Sequence, residues 1–143
     1  MSAEMLGPSE GALSRKRVLL AEDDEVNQEI VRALLETVAG VELTVVPDGR
    51  AALEAAMTRK FDLLIVDRKM PLISGEKLIR HLRASANPNA ATFTILFSAS
   101  TASELKELIG SCPADEVMTK PIRPKPFVAR LRTILGIPEE EPA

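Results

Sequence analysis

Five residues stand where short apolar runs give out. Glu22 and Asp23 follow Val18–Ala21, Asp67 closes "FDLLIVD", Ser98 follows "FTILF", and Lys120 follows "EVMT". Three carboxylates, a hydroxyl and an ammonium at the tips of apolar runs can do chemistry only if the fold gathers them. Carboxylates sharing one pocket repel one another by roughly 4 kcal/mol per pair at 4 Å and an effective dielectric near 20. A hard divalent cation removes that penalty. Mg²⁺ suits the donor set, because it prefers oxygen ligands and accepts one or two carboxylates plus waters. Lys120 would add a fixed positive charge beside it. The acidic run 22–25 therefore reads as the end of a buried strand placed to hold a metal.

The elements needed to gather these residues are legible along the chain. Val18–Ala21 is a first strand, apolar throughout and so buried on both faces. Apolar residues at 26, 30, 31, 34, 35 and 38 form a helical stripe that Gly40 is expected to stop. "VELTVV" (41–46) reads as a strand, and Asp48 as the N-cap of an alanine-rich helix through Lys60. Further strands fall at 61–67, 93–99 and 116–119, and helices at 74–85, 101–110 and 126–136. Thr101 with Glu104 forms a capping box for the fourth helix. Alternating strands and helices imply an α/β, doubly wound parallel sheet covered on both faces, with right-handed crossovers. Such sheets carry their sites at the carboxyl ends of the strands, where the five residues lie.

Composition narrows the function classes. The 143 residues fit one domain, 45% hydrophobic and 27% charged. A net charge of −3 and a pI near 5.3 point to neither a nucleic-acid partner nor a membrane surface. The single cysteine, Cys112, rules out an internal disulfide and suggests a reducing, cytoplasmic setting. No apolar run approaches the roughly 20 residues that span a bilayer, so direct membrane insertion is not expected. Residues 1–16 and 137–143 read as disordered tails around a domain at 17–136.

"LLAEDDEVNQ", "DLLIVDRKMPLISG", "ILFSAS" and "VMTKPI", in that order and spacing, closely resemble the receiver domain of two-component response regulators. The resemblance covers about residues 17 to 136. It implies a flavodoxin-like (βα)5 fold with strand order 2-1-3-4-5. It also implies roles: Asp67 as phosphoacceptor from a phosphohistidine on a histidine kinase or phosphotransfer domain, with Asp23 ligating Mg²⁺ directly and Glu22 mainly through water. The backbone carbonyl of Lys69 would be a further ligand, Ser98 would hydrogen-bond a phosphoryl oxygen, and Lys120 would pair with another. The Lys120–Pro121 bond resembles the family's cis peptide, which aims the lysine. The "EVNQ" and "TKPIRP" stretches lean toward the receiver segment of a hybrid histidine kinase. Only eight residues follow Leu135, too few for a DNA-binding output domain within this sequence, so signalling through protein contacts is expected.

Simpler readings compete at several positions. Asp24 reads as a cap for the first helix and Glu25 as a first-turn acid that suits the helix dipole. His81 is a surface residue, with no second histidine to share a metal or relay a phosphate. The family usually places an aromatic three residues before the lysine; here it is Val117, and the chain has no Tyr or Trp. Ser74 stands where Asp is commoner. Lys69, two residues after Asp67, is expected to alter dephosphorylation. A flavin carrier would need a Ser/Thr/Gly-rich phosphate loop after the first strand, where this chain has carboxylates, and aromatics to stack the flavin, where it has no Trp or Tyr. An aspartate phosphatase would need D-x-D where Lys69 stands. A degenerate receiver serving only as a docking module is the remaining alternative.

Overall fold

A computed structural model describes residues 15–99, 106 and 113–138. Residues 1–14 and 139–143 of the expected tails, most of the helix expected over 101–110 with its capping box, and Cys112 lie outside the described residues, whereas Lys16 opens β1 and Ile137 packs against the core, so neither belongs to a tail. The order is β1 (Lys16–Ala21), α1 (Glu25–Glu36), β2 (Val41–Val46), α2 (Gly49–Thr58), β3 (Leu63–Asp67), α3 (Gly75–Ala84), β4 (Thr94–Ala99), β5 (Glu116–Lys120) and α4 (Pro124–Leu135). The five strands are parallel in the order β2-β1-β3-β4-β5, the flavodoxin-like arrangement expected.

Alternation along the central strands divides the core in two. Leu19, Ala21, Leu64, Val66 and Leu96 face Ala52, Ala56, Leu78, Ile79 and Leu82 of α2 and α3. Val18, Leu20, Leu63, Ile65, Ile95 and Phe97 face Val31, Leu35, Phe127, Leu131 and Leu135 of α1 and α4. Phe97 and Phe127 meet with ring centroids 5.8 Å apart. Both faces of the sheet are thus apolar, which is why the central strands carry no polar alternation. Polar chemistry can appear only at the strand ends.

Three sequence expectations shift. α1 ends at Glu36 with Thr37 as its C-cap, short of Gly40. Thr37 caps it, its backbone N–H reaching the Leu34 and Leu35 carbonyls and its hydroxyl donating to the Leu34 carbonyl at 2.6 Å. Gly40, at φ +86°, instead makes the turn whose carbonyl accepts from Lys16 N at 2.8 Å and starts β1. The α1 stripe is also wider than the buried face. Val31, Leu35 and Val38 are buried, but Val26 is 66% and Ile30 38% exposed. α4 begins at Pro124, two residues before the expected start, because prolines 124 and 126 both fall in the first turn, where backbone N–H groups have no helical acceptor.

The loop before β4 is tied to the rest through fully buried Asn89. Its Oδ1 accepts from Phe61 N at 2.8 Å and from the Thr92 hydroxyl at 2.9 Å. Its Nδ2 donates to the Ala56 and Arg59 carbonyls, each at 2.6 Å. One side chain thus satisfies the end of α2, the entry to β3 and its own loop. Asn89→Ala leaves a buried N–H and carbonyl groups unpaired, and we expect a loss of about 3 kcal/mol in urea-denaturation stability. A loss below about 0.5 kcal/mol would show that water replaces the amide without cost.

Candidate functional site

Register puts the acidic residues level. Ala21 pairs with Val66, so Glu22 and Asp67, each one residue further on, end neighbouring strands side by side. Asp67 pairs with Phe97, and Phe97 with Met118, so Lys120 starts two residues further out on β5 and its side chain leans back over the end of β4. Lys120 Nζ lies 3.1 Å from Glu22 Oε1 and 3.1 Å from Asp67 Oδ1. Carboxylate oxygens of Glu22, Asp23 and Asp67 lie within 4.8 Å of one another, the one such acidic group among the described residues. Asp23 is exposed, whereas Glu22 is 2% and Asp67 7% exposed.

Glu22 is held at each of its polar atoms. Its N–H donates to the Val46 carbonyl at 3.0 Å and its carbonyl accepts from Gln28 Nε2 at 2.6 Å. Its Oε2 accepts from Asp24 N at 3.1 Å, while Oε1 faces Lys120. Asp24 itself caps α1, accepting from Asn27 N at 3.2 Å, and stands apart from the acidic cluster as expected.

The sequence-predicted residues are distributed as follows. Glu22, Asp23, Asp67 and Lys120 come together. Ser98 is buried at the end of β4 beside Asp67's strand, but its hydroxyl donates to the Ala99 carbonyl at 3.1 Å and to neither carboxylate. Lys69 is exposed in the loop that leaves β3. The Lys120–Pro121 peptide is cis. Val117 is half-buried and packs on the core beneath α2 and α3. His81 is exposed. Gly75 opens α3 with its N–H bonded to the Arg68 carbonyl at 2.9 Å. A Cβ there would strike the Asp67 carbonyl and stand 2.9 Å from Leu96 Cδ1, so only glycine lets α3 sit this close to the acidic strand end.

Sequence reasoning missed two features. It placed Lys120 as a fixed positive charge and a partner for a phosphoryl oxygen, but did not foresee that the ammonium bridges Glu22 and Asp67 directly. It gave no role to Gln28, whose link to Glu22 crosses from helix to loop and leaves no periodic trace.

The charge count is unbalanced: three carboxylates face one ammonium. Burial pushes Glu22 up to about 7. The Asp67 charge acts in the same direction, while the Asp24 N–H and Lys120 pull back without prevailing. Burial alone would lower Lys120, but its bonds to Glu22 and Asp67 outweigh burial and raise it. A pocket of oxygen donors with surplus negative charge, one of them costly to ionise, fits a hard divalent cation. Glu22, Asp23 and Asp67 are the residues that would hold it.

Known proteins bear on this arrangement. Residues 18–132 match the family model described as the response regulator receiver domain. The chain is 32% identical over 129 residues to the DNA-binding response regulator MtrA of Mycolicibacterium smegmatis, covering 90% of this chain and 54% of that protein. It is 31% identical over 121 residues to the alkaline phosphatase synthesis transcriptional regulatory protein PhoP of Bacillus subtilis, covering 84% and 48%. The chain thus spans about half the length of the curated relatives it matches. Among solved structures, the receiver domain of the sensor histidine kinase PA1611 from Pseudomonas aeruginosa, with a magnesium ion coordinated in its active-site cleft, superposes with a TM-score of 0.76. It is 25% identical, with 85% of this chain and 98% of that chain covered. The chemotaxis response regulator CheY4 of Vibrio cholerae gives 0.74 at 26% identity, covering 84% and 98%.

The raised Glu22 makes a pH prediction. An acid whose folded pKa exceeds its unfolded value of 4.5 favours the fold below 4.5, and that contribution is lost as pH rises through about 7. Without divalent cation, Glu22→Gln and the parent protein should be similarly stable near pH 5. By pH 8 the variant should be the more stable by on the order of 2–3 kcal/mol. Parallel stability curves for the two proteins across that range would contradict the assignment.

Proposed function

Since the chain belongs to the response regulator receiver family, we propose that it is a phosphoacceptor in two-component signalling, with Asp67 as the residue that carries the phosphoryl group. The observation that supports this reading most directly is the Lys120 ammonium bridging Asp67 and Glu22 inside the three-carboxylate pocket.

Asp67 is buried at a strand tip with one oxygen held by Lys120, which leaves its other oxygen available to attack. A carboxylate oxygen attacks phosphorus on a phosphohistidine. The P–N bond breaks, its electron pair stays on the imidazole, and a mixed acyl phosphate forms. Such transfer asks the protein mainly for positioning and charge neutralisation. Mg²⁺, held by Asp23, Asp67 and the Lys69 carbonyl with Glu22 mainly through water, would supply neutralisation of the phosphoryl charge. Lys120 takes a phosphoryl oxygen in exchange for a carboxylate. Ser98 would give up its bond to the Ala99 carbonyl to donate to another, and its movement toward the phosphoryl group would shift the chain that follows β4. Hydrolysis of the acyl phosphate by water ends the signal, and the Lys69 ammonium, exposed beside the site, tunes its rate.

The phosphodonor on this reading is a histidine kinase or phosphotransfer domain, and the exchange is cytoplasmic. The output runs through protein contacts without the usual aromatic switch, since Val117 occupies that place. The chain serves either a stand-alone regulator or a receiver segment of a hybrid kinase.

The test is incubation with a small phosphodonor, with and without Mg²⁺, followed by intact mass. The expected result is a gain of one phosphoryl group that requires Mg²⁺ and vanishes in Asp67→Asn. Lys120→Ala should slow the gain by on the order of 100-fold. A parent protein that stays unlabelled while folded would overturn the phosphoacceptor reading in favour of a docking module.

A further inference from the structure

Glu22, Asp23 and Asp67 all stand on or directly after strands, so the sheet itself fixes them. The remaining ligand in the proposed set, the Lys69 carbonyl, hangs in the loop 68–74 between β3 and α3. This loop has little regular structure of its own. It passes through Leu72 at φ +75°, a strained conformation for a side-chain-bearing residue, and Leu72 is 74% exposed. Some contact has to hold it in one shape.

We propose that the Arg68–Glu76 ion pair is a positioning device that fixes the Lys69 carbonyl for the divalent cation. The inference rests on the receiver reading above. Arg68 Nε donates to Glu76 Oε1 at 2.9 Å, with the two side chains only 18% and 19% exposed. The pair therefore lies under the surface, where a charge-assisted bond is less screened and more directional. Its two ends sit on different bodies. Arg68 N donates to the Phe97 carbonyl at 2.8 Å, tying the residue to β4, and Arg68 O accepts from Gly75 N at 2.9 Å. Glu76 belongs to the first turn of α3, where a carboxylate also suits the helix dipole.

Residue 68 is thereby held at its N–H, its carbonyl and its side chain, and the next peptide unit carries the Lys69 carbonyl. Backbone bonds alone close the loop at one point, through Arg68 O and Gly75 N. The side-chain pair closes it at a second point and removes rotation about the first. Further along, Pro71 O accepts from Gly49 N at 3.2 Å and Ile73 N at 2.9 Å, which anchors the far half of the loop against α2. The near half, which carries Lys69, depends on Arg68. Glu76 is not one of the clustered carboxylates, and the pair acts on the metal through the loop.

A double-mutant cycle on the full chain tests this, using Arg68→Met, Glu76→Gln and the double variant. Mg²⁺ affinity is read by calorimetry, and thermal unfolding is read without Mg²⁺. Each single variant should bind Mg²⁺ about tenfold more weakly. The double variant should be no weaker than the worse single one, because the second change removes nothing more. Labelling by a small phosphodonor at saturating Mg²⁺ should stay within about twofold of the parent. If either single variant fails to fold, the exchanged pair Arg68→Glu with Glu76→Arg, which restores opposite charges, should recover most of the parent affinity. A purely structural pair would lower the melting temperature and leave Mg²⁺ affinity unchanged. That result, or single losses that add in the double variant, overturns the inference. A parent protein that binds no Mg²⁺ overturns the receiver reading and this inference with it, whereas parental binding with unaltered variants defeats the inference alone.

Discussion

The structure depends on placing three carboxylates in one pocket with only one ammonium between them. Each pair at this spacing costs roughly 3–4 kcal/mol at an effective dielectric near 20. Lys120 offsets part of that by contacting Glu22 and Asp67 at equal distance. The remainder shows in Glu22, held up to about 7 by burial and by Asp67 despite its bond to Lys120. The surplus negative charge is the physical reason to expect a cation, and it follows from the residues alone.

The fold makes that concentration possible. A sheet covered on both faces leaves its strands nowhere to show a polar group except at their ends. Parallel pairing then brings those ends to one edge. The register of β1 on β3 sets Glu22 beside Asp67, and β5 sits far enough out for Lys120 to reach both across β4. Around this edge the supports are local. Gln28 fixes the Glu22 backbone from α1, Asp24 caps α1 while giving its N–H to Glu22, and Gly75 lets α3 approach the Asp67 carbonyl.

Much of this was legible in the sequence because it is written in local runs. Apolar stretches with no alternation named the buried strands, and the charged residues directly after them named the site. Asp48 and Asp24 declared helix starts, and both accept the capping bond. What escaped reading depends on distance through space. The bridge from Lys120 to Glu22 joins residues about a hundred positions apart. Arg68, Glu76 and Gln28 look like ordinary surface polar residues until the fold turns them toward their partners. The overlong apolar stripe of α1 misled for a different reason. Periodicity marks a face as apolar, yet Val26 and Ile30 extend that face past the edge of the sheet into solvent. The end of α1 escaped too, since the helix closes at Thr37, three residues before the glycine.

The central claim is that the acidic strand ends form a single cation site, and amide NMR during a Mg²⁺ titration tests it most directly. The account predicts one saturable set of shifts confined to residues 22–24, 67–69 and the neighbourhood of Lys120, abolished in Asp23→Asn. Shifts scattered over the exposed carboxylates with no saturation, or none at the ends of β1 and β3, would contradict it.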